Sequence, residues 1–245
     1  MKGFIAAIRF LTIVPFFRTI KTSEEDLVRS MAFYPLAGFI IGIYLVVIRI
    51  FFGLFFSSSL TDIIVIISLV IVTGALHLDG LADTADGLAG GRNKEKVLAI
   101  MKDTKIGSFG VAGIVGVIIL KISALGEIPE FTKASALIAM PVLSRWSVVQ
   151  IAACLPYARP GDGTGKIFVC RSGLLESFVS SMTAILIVAG LFLIQGFLIM
   201  ILIAGMTVIM GLFFFKWIGG VTGDSLGAAI ELNEIAVLLA VAVLF

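Results

Sequence analysis

Phe197-Leu-Ile-Met-Ile-Leu-Ile-Ala-Gly-Met-Thr-Val-Ile-Met-Gly-Leu-Phe-Phe-Phe215 runs nineteen residues without a charged side chain. Coiled into an α-helix it is roughly 28 Å long, close to the ~30 Å of hydrocarbon in a bilayer. Stretches of this kind recur, and the sequence predicts spans near 32–55, 60–78, 107–126, 134–155, 178–195, 197–217 and 222–245. The fifth and sixth are separated only around Gln195-Gly196, which predicts a tight hairpin. The last begins in a polar stretch and ends in the apolar run Ile235–Phe245. Upstream, Phe4–Phe17 contains Arg9 and Pro15 and is too short to cross, so an interfacial helix suits it better.

Composition agrees. Hydrophobic residues make up 60% of the 245, charged residues 14%, and the mean hydropathy is +1.17. A soluble domain of this length needs far more charge to cover its surface. There is no Pro/Ser linker, low-complexity tract or cleavable signal with a small-residue cleavage site. The expected fold is therefore all-α: a polytopic membrane helix bundle of about seven transmembrane helices plus an N-terminal interfacial helix, with residues 1–245 as one domain. Cys154 and Cys170 fit neither a disulfide framework nor a metal site and read as reduced bystanders. No nucleic-acid partner is expected.

The net charge of +2 matters less than its distribution. With seven spans, one side receives Lys2, Arg9, Arg18, Lys21, Arg29, Arg92, Lys94, Lys96, Lys102, Lys105, Arg159, Lys166, Arg171 and Lys216. The other claims Arg49, Lys121 and Lys133. This asymmetry predicts that the N-terminus and the polar loops face the cytoplasm. Gly38 and Gly42, and Gly107, Gly110, Gly113 and Gly116, read as positions where helices approach closely.

Chemistry concentrates in His77-Leu-Asp-Gly-Leu-Ala-Asp-Thr-Ala-Asp-Gly-Leu-Ala-Gly-Gly91. Asp79, Asp83 and Asp86 stand at i, i+4 and i+7, within an arc of roughly 60° on one helix face. Three like charges in a row repel, and near a membrane each is expensive to keep ionised. Mg²⁺, which takes a few carboxylates plus waters and substrate phosphates, is the natural counter-ion. The alternative is a solvated acidic helix end. Glycines after Asp79 and Asp86 leave room for a ligand near the backbone, and His77, on the opposite face, reads as a packing or interfacial residue. A second acidic group, Asp224 and Glu231, is also seven apart and at the same end; Glu234 is displaced and reads as facing a neighbouring helix. These five carboxylates could converge on one or two cations, as in two-metal phosphoryl-transfer sites, or simply form a polar helix contact.

Cations lie nearby in sequence. Arg92 follows the acidic stripe, and Lys102, Lys105 and Ser108 precede a glycine-rich helix start whose N–H groups could hold a phosphate. Some of these lysines belong to the inward charge bias. Arg145, within the fourth span, needs a partner, either the acidic cluster, a structural ion pair or a ligand phosphate. Arg159 and Lys166 flank three glycines in a loop that reads as a cover over the site or as an ordinary connection.

His77-Leu-Asp-Gly-Leu-Ala-Asp-Thr-Ala-Asp-Gly87, Met101-Lys-Asp-Thr-Lys-Ile-Gly-Ser-Phe-Gly110, Ser144-Arg-Trp146 and Gly223-Asp-Ser-Leu-Gly-Ala-Ala-Ile-Glu231 together resemble the cobalamin synthases, also called adenosylcobinamide-GDP ribazoletransferases. The resemblance runs over nearly the whole chain, with four motifs in the family's order. It implies a membrane enzyme of the bacterial or archaeal inner membrane that requires Mg²⁺. In that reaction a ribose hydroxyl of α-ribazole, or of its 5′-phosphate, attacks the cobinamide-proximal phosphate of adenosylcobinamide-GDP and GMP leaves. On this resemblance Asp79, Asp83 and Asp86 hold metal on the diphosphate with Asp224 and Glu231 completing the site. One aspartate takes the ribose proton, and Lys102, Lys105 and Arg145 face the departing phosphate. Arg92, Ser108, Arg159 and Lys166 bind substrate. Partners are the two substrates and lipid; a homo-oligomer is left open.

The DGxxDxxD run also resembles the CDP-alcohol phosphotransferases, but those carry a second aspartate pair shortly downstream, where Arg92 to Lys105 offers only Asp103. A cation transporter is the alternative from another class. It predicts mid-bilayer carboxylates and an inverted repeat, and no repeat is visible beyond the echo of Asp79-Gly-Leu-Ala in Asp86-Gly-Leu-Ala.

Overall fold

The computed structural model describes residues 2–15, 20–160, 164–171 and 173–245. Arg18, counted above among the inward cations, and residues 161–163 of the glycine-rich loop lie outside them, as do the side chains of Cys170 and Arg171. The described residues form the helices α1 (Lys2–Leu11), α2 (Glu24–Ser30), α3 (Tyr34–Gly53), α4 (Ser58–Val72), α5 (Leu76–Gly90), α6 (Lys94–Ile100), α7 (Ser108–Glu127), α8 (Glu130–Cys154), α9 (Thr164–Arg171), α10 (Leu174–Phe192), α11 (Ile194–Ile218) and α12 (Gly223–Leu244). Among the described residues there is no strand, only an isolated parallel bridge between Tyr157 and Val221. Among the described residues, six helical segments are long and apolar enough to cross a membrane: α2 running through a 3₁₀ turn into α3, then α7, α8, α10, α11 and α12. The pair α4 and α5 makes a seventh only if counted as one bent span.

The bundle is organised around α8. In its most apolar window 83% of residues are buried, against 17% in α10 and 33% in α11. The outward faces of α11, with Ile201, Ile209 and Leu212 mostly exposed, are the surfaces a bilayer would cover. The tightest crossing is between α3 and α8, as the Gly38/Gly42 pair predicts. A Cβ on Gly38 would stand 2.3 Å from the Pro141 carbonyl oxygen, and one on Gly42 would stand 2.6 Å from Ile138 Cα. Pro141 has no N–H, so the Leu137 carbonyl loses its helical donor. The backbones touch where that helix is interrupted.

The second span departs from expectation. It stops at Val72 rather than continuing to residue 78, and the chain turns by 87° into α5. Gly74 and Ala75 both adopt left-handed backbone (φ +63° and 56°), a conformation that ends an α-helix. The turn is pinned by the segment after α1: Ile13 N–H donates to the Val72 carbonyl at 2.9 Å, and its side chain fills the space a Gly74 Cβ would need. The N-terminal helix itself ends at Leu11 and buries Ile5, Ala6, Ile8 and Leu11 while leaving Lys2 and Arg9 exposed.

The three cations assigned to the outward side are all buried. Arg49 and Lys133 meet Asp62 at 3.4 and 2.6 Å, and Arg49 also pairs with Glu130 at 2.7 Å. Lys121 lies inside the bundle, 3% exposed, and is not a loop residue. Each is held by a carboxylate in the protein, so none belongs in a count of loop charges.

Candidate active site

The acidic face forms as its spacing predicts. Asp79, Asp83 and Asp86 all lie on α5, and the glycines between them admit neighbours. A Cβ on Gly80 would come within 2.8 Å of the Asp224 carbonyl oxygen, and one on Gly87 within 2.4 Å of Met101. The room expected for a ligand is therefore taken by the start of α12 and by the α6–α7 connection. This approach brings Asp224 beside the stripe, so that Asp83 experiences the charges of Asp224, Asp79 and Asp86. The local countercharge is Arg159, whose Nη2 bonds Asp224 at 2.5 Å and the Met101 carbonyl at 3.3 Å. It reaches that position because the segment after α8 is stitched to the segment before α12: Ala158 N–H donates to the Val221 carbonyl and Val221 N–H to the Pro156 carbonyl, both at 2.9 Å.

The four carboxylates do not share one environment. Asp86 accepts from the N–H groups of Gly107 and Gly110 at 2.6 and 2.8 Å, so it caps the start of α7. Those two N–H groups, expected to be open to a phosphate, are thus committed, and a side chain at either glycine would collide with the carboxylate. Asp224 is held by Arg159. Asp79, exposed, and Asp83, half-buried, take part in no hydrogen bond or ion pair with the described residues. Arg92, Lys102, Lys105 and Ser108 are exposed, the last three just ahead of or at the start of α7, whose first turn Asp86 caps. Lys166 is half-buried on α9.

Two residues expected at the cation site sit elsewhere. Glu231, two turns or about 10 Å further along α12, accepts from Lys121 Nζ at 2.6 Å. Arg145 is fully buried and pairs with Glu234, which also pairs with Lys121. The result is a closed interior network of two cations and two anions, with no charge left over. Lys121, assigned by the sequence to the outward side, lies inside the bundle, and Glu234 faces neighbouring helices as its displacement predicts, pairing with Lys121 of α7 and Arg145 of α8. The signal was available: a lysine fourteen residues into an apolar helix must find an anion. His77 is buried as expected, but it is not merely packing, because its Nδ1 lies 3.3 Å from Arg145 Nη2.

A cavity of about 230 Å³ opens beside the stripe, with Asp79 and Asp224 at its rim and His77 in its wall. Among the described residues, no three His, Cys, Asp or Glu side chains are placed to enclose a metal ion by themselves. The donor set at the rim nonetheless fits Mg²⁺, which is commonly held by one or two carboxylates and completed by water and substrate phosphate oxygens. Asp79 and Asp83 are two such carboxylates, without a hydrogen-bond or ion-pair partner among the described residues.

Comparison with known proteins bears on the chemistry. Residues 3–242 match the family model described as cobalamin-5-phosphate synthase. A curated adenosylcobinamide-GDP ribazoletransferase of Chlorobaculum parvum is 37% identical over 97% of this chain and 93% of its own length. Proteins with the same description from Syntrophobacter fumaroxidans (36%; 99% and 98%) and Geotalea daltonii (34%; 98% and 96%) align end to end as well. No solved structure matches. A polytopic helix bundle carrying an acidic stripe at one end, matched over almost its full length, belongs to the cobalamin-5-phosphate synthase family of enzymes.

Proposed function

We propose that this chain is an adenosylcobinamide-GDP ribazoletransferase that works with Mg²⁺ at the cytoplasmic face of the inner membrane. The observation that carries the reading is the pair Asp79 and Asp83 on one helix face, which make no hydrogen bond or ion pair with the described residues, Asp79 lining the cavity beside the stripe. In the reaction a new P–O bond forms between a ribose oxygen of α-ribazole and the cobinamide-proximal phosphorus. The P–O bond to GMP breaks, and the ribose proton passes to a carboxylate and on to water. A bound Mg²⁺ would supply charge neutralisation on the diphosphate, held by Asp79 and Asp83 with Asp224 close by.

The chain's own groups do the rest. Asp83 is half-buried among like charges, an arrangement that favours taking up a proton. Lys102 and Lys105, on an exposed connection, neutralise the departing GMP phosphate, and Arg92 and Lys166 add to the same basic rim. Arg159 holds Asp224 and keeps α12 in register with the stripe. Arg145 and Glu231 act from behind as parts of the scaffold. Outside the protein, the lysine and arginine bias toward this end supports a cytoplasmic site, and burial of Arg49, Lys121 and Lys133 removes the cations that counted against it.

The test is direct. Purified protein, incubated with adenosylcobinamide-GDP, α-ribazole and Mg²⁺, should release GMP in step with corrinoid product. Release of GMP without α-ribazole, or none with it, would overturn the reading.

A further inference from the structure

Among the described residues, side-chain hydrogen bonds anchor α5 at two places, and the unpaired carboxylates Asp79 and Asp83 lie between them. Toward its end, Asp86 accepts from the Gly107 and Gly110 N–H groups. In its first turn, His77 is 3% exposed and its Nδ1 lies 3.3 Å from Arg145 Nη2. A guanidinium can only donate, so Nδ1 is the acceptor and the imidazole is neutral. Arg145 of α8 is itself held by Glu234 of α12, and Glu234 by Lys121 of α7. One imidazole thus ties the start of α5 to three other helices.

Neither packing nor charge balance accounts for that bond. Where α5 crosses α12, a Cβ on Gly80 would stand 2.8 Å from the Asp224 carbonyl oxygen, and one on Gly227 would stand 3.3 Å from the His77 carbonyl oxygen. Backbone meets backbone there, a contact that permits close approach without interlocking side chains to fix the angle. The connection from α4 ends in left-handed Gly74 and Ala75 and gives α5 no side-chain cap. Lys121, Arg145, Glu231 and Glu234 already cancel one another, so the network has no need of a neutral member. What the imidazole supplies is direction for the first turn of α5.

Resting on the function proposed above, we propose that His77 is a positioning residue for the cation site: its bond to Arg145 fixes the direction of α5 and with it the place of Asp79. With Asp86 as the only other anchor, the helix can pivot about its far end once His77 lets go. Asp79 lies seven residues from that pivot, and a tilt of about 10° over the intervening ~10 Å of helix displaces its carboxylate by roughly 2 Å. A preorganised site tolerates on the order of 0.5 Å. Asp83, less than a turn from Asp86, moves less. The interior network therefore reaches the rim through a neutral residue that touches neither cation nor substrate.

The experiment titrates Mn²⁺ into full-length protein without substrate, read by electron paramagnetic resonance, with thermal melting in chelator to follow the fold. His77→Leu, which keeps bulk and removes the acceptor, should weaken Mn²⁺ binding by about tenfold or more, the usual cost of losing a group that orients a metal ligand. Its melting temperature should fall much less than that of Glu234→Leu, because no charge is stranded. His77→Asn, whose carbonyl oxygen can stand near the place of Nδ1, should bind within about threefold of wild type. His77→Gln, whose amide sits further out along the ring, should bind like His77→Leu. Equal binding by wild-type protein and His77→Leu overturns the inference. Equal binding by His77→Asn and His77→Gln, tight or weak, overturns it as well, and that comparison decides even if His77→Leu does not fold. Wild-type protein that binds no Mn²⁺ removes the cation site of the proposed function and this inference with it; binding indifferent to residue 77 removes the inference alone.

Discussion

Two groups of charged residues lie within a few turns of each other and are built on opposite principles. In the interior, Lys121, Arg145, Glu231 and Glu234 form a network in which every charge has a partner and nothing faces solvent. At the rim, among the described residues, Asp224 pairs with Arg159 and Asp86 accepts from two backbone N–H groups, while Asp79 and Asp83 have no ion-pair partner. A balanced network satisfies itself and can only hold helices together: Lys121 ties α7 to α12, and Arg145 ties α8 to α12. An unbalanced one is incomplete without something from outside. The same residue types thus serve as scaffold or as site, and what separates them is whether the protein supplies the countercharge.

The largest effects should come from removing a charge on either side of this divide, with different readouts. Asp83→Asn should lower the rate of GMP release by about a thousandfold or more while the protein inserts and melts as before; near-normal turnover would remove Asp83 from the site. Glu234→Leu should do the reverse. It strands Arg145 in the interior and leaves Lys121 with Glu231 alone, for a loss of about 3–5 kcal/mol of stability, visible as a sharply lower melting temperature in detergent. An unchanged melting point would show that water already reaches these groups.

Smaller changes sharpen the contrast. Gly110→Ala places a methyl 2.4 Å from Asp86 Oδ2 and should push the carboxylate off the start of α7, for about 1–2 kcal/mol. Thermal melts of the variant with and without Mg²⁺ would check it. Arg159→Gln removes the rim's countercharge. Divalent-cation affinity should then rise severalfold, since repulsion of the cation is relieved. Stability in chelator should fall by about 1 kcal/mol, because the pair with Asp224 is partly exposed. A fall in cation affinity would contradict the assignment of Arg159 as a countercharge.

Much of this was legible before any coordinates. The apolar runs give six of the helices to within a few residues, and Asp79, Asp83 and Asp86 fall on one helix because a period of 3.6 puts them there. The Gly38/Gly42 contact follows from small-residue spacing. What the sequence could not show was pairing across the bundle. Asp224 and Glu231 share a helix face, so they read as one acidic group; yet the first meets Arg159 at the rim and the second meets Lys121 inside. Which cation each one meets depends on where α7 and the segment after α8 approach α12, and no local pattern carries that. The 87° turn was missed because Thr73-Gly74-Ala75 sits inside an apolar run that hydropathy alone extends to residue 78.

The central claim, that the unpaired rim carboxylates bind a divalent cation and the paired interior ones do not, is tested most directly by electron paramagnetic resonance of Mn²⁺ titrated into purified protein without substrate. The account predicts binding to the wild type, its loss in Asp79→Asn and Asp83→Asn, and its retention in Glu231→Gln, whose amide can still accept from Lys121. Loss of Mn²⁺ binding in Glu231→Gln with retention in Asp83→Asn would contradict it.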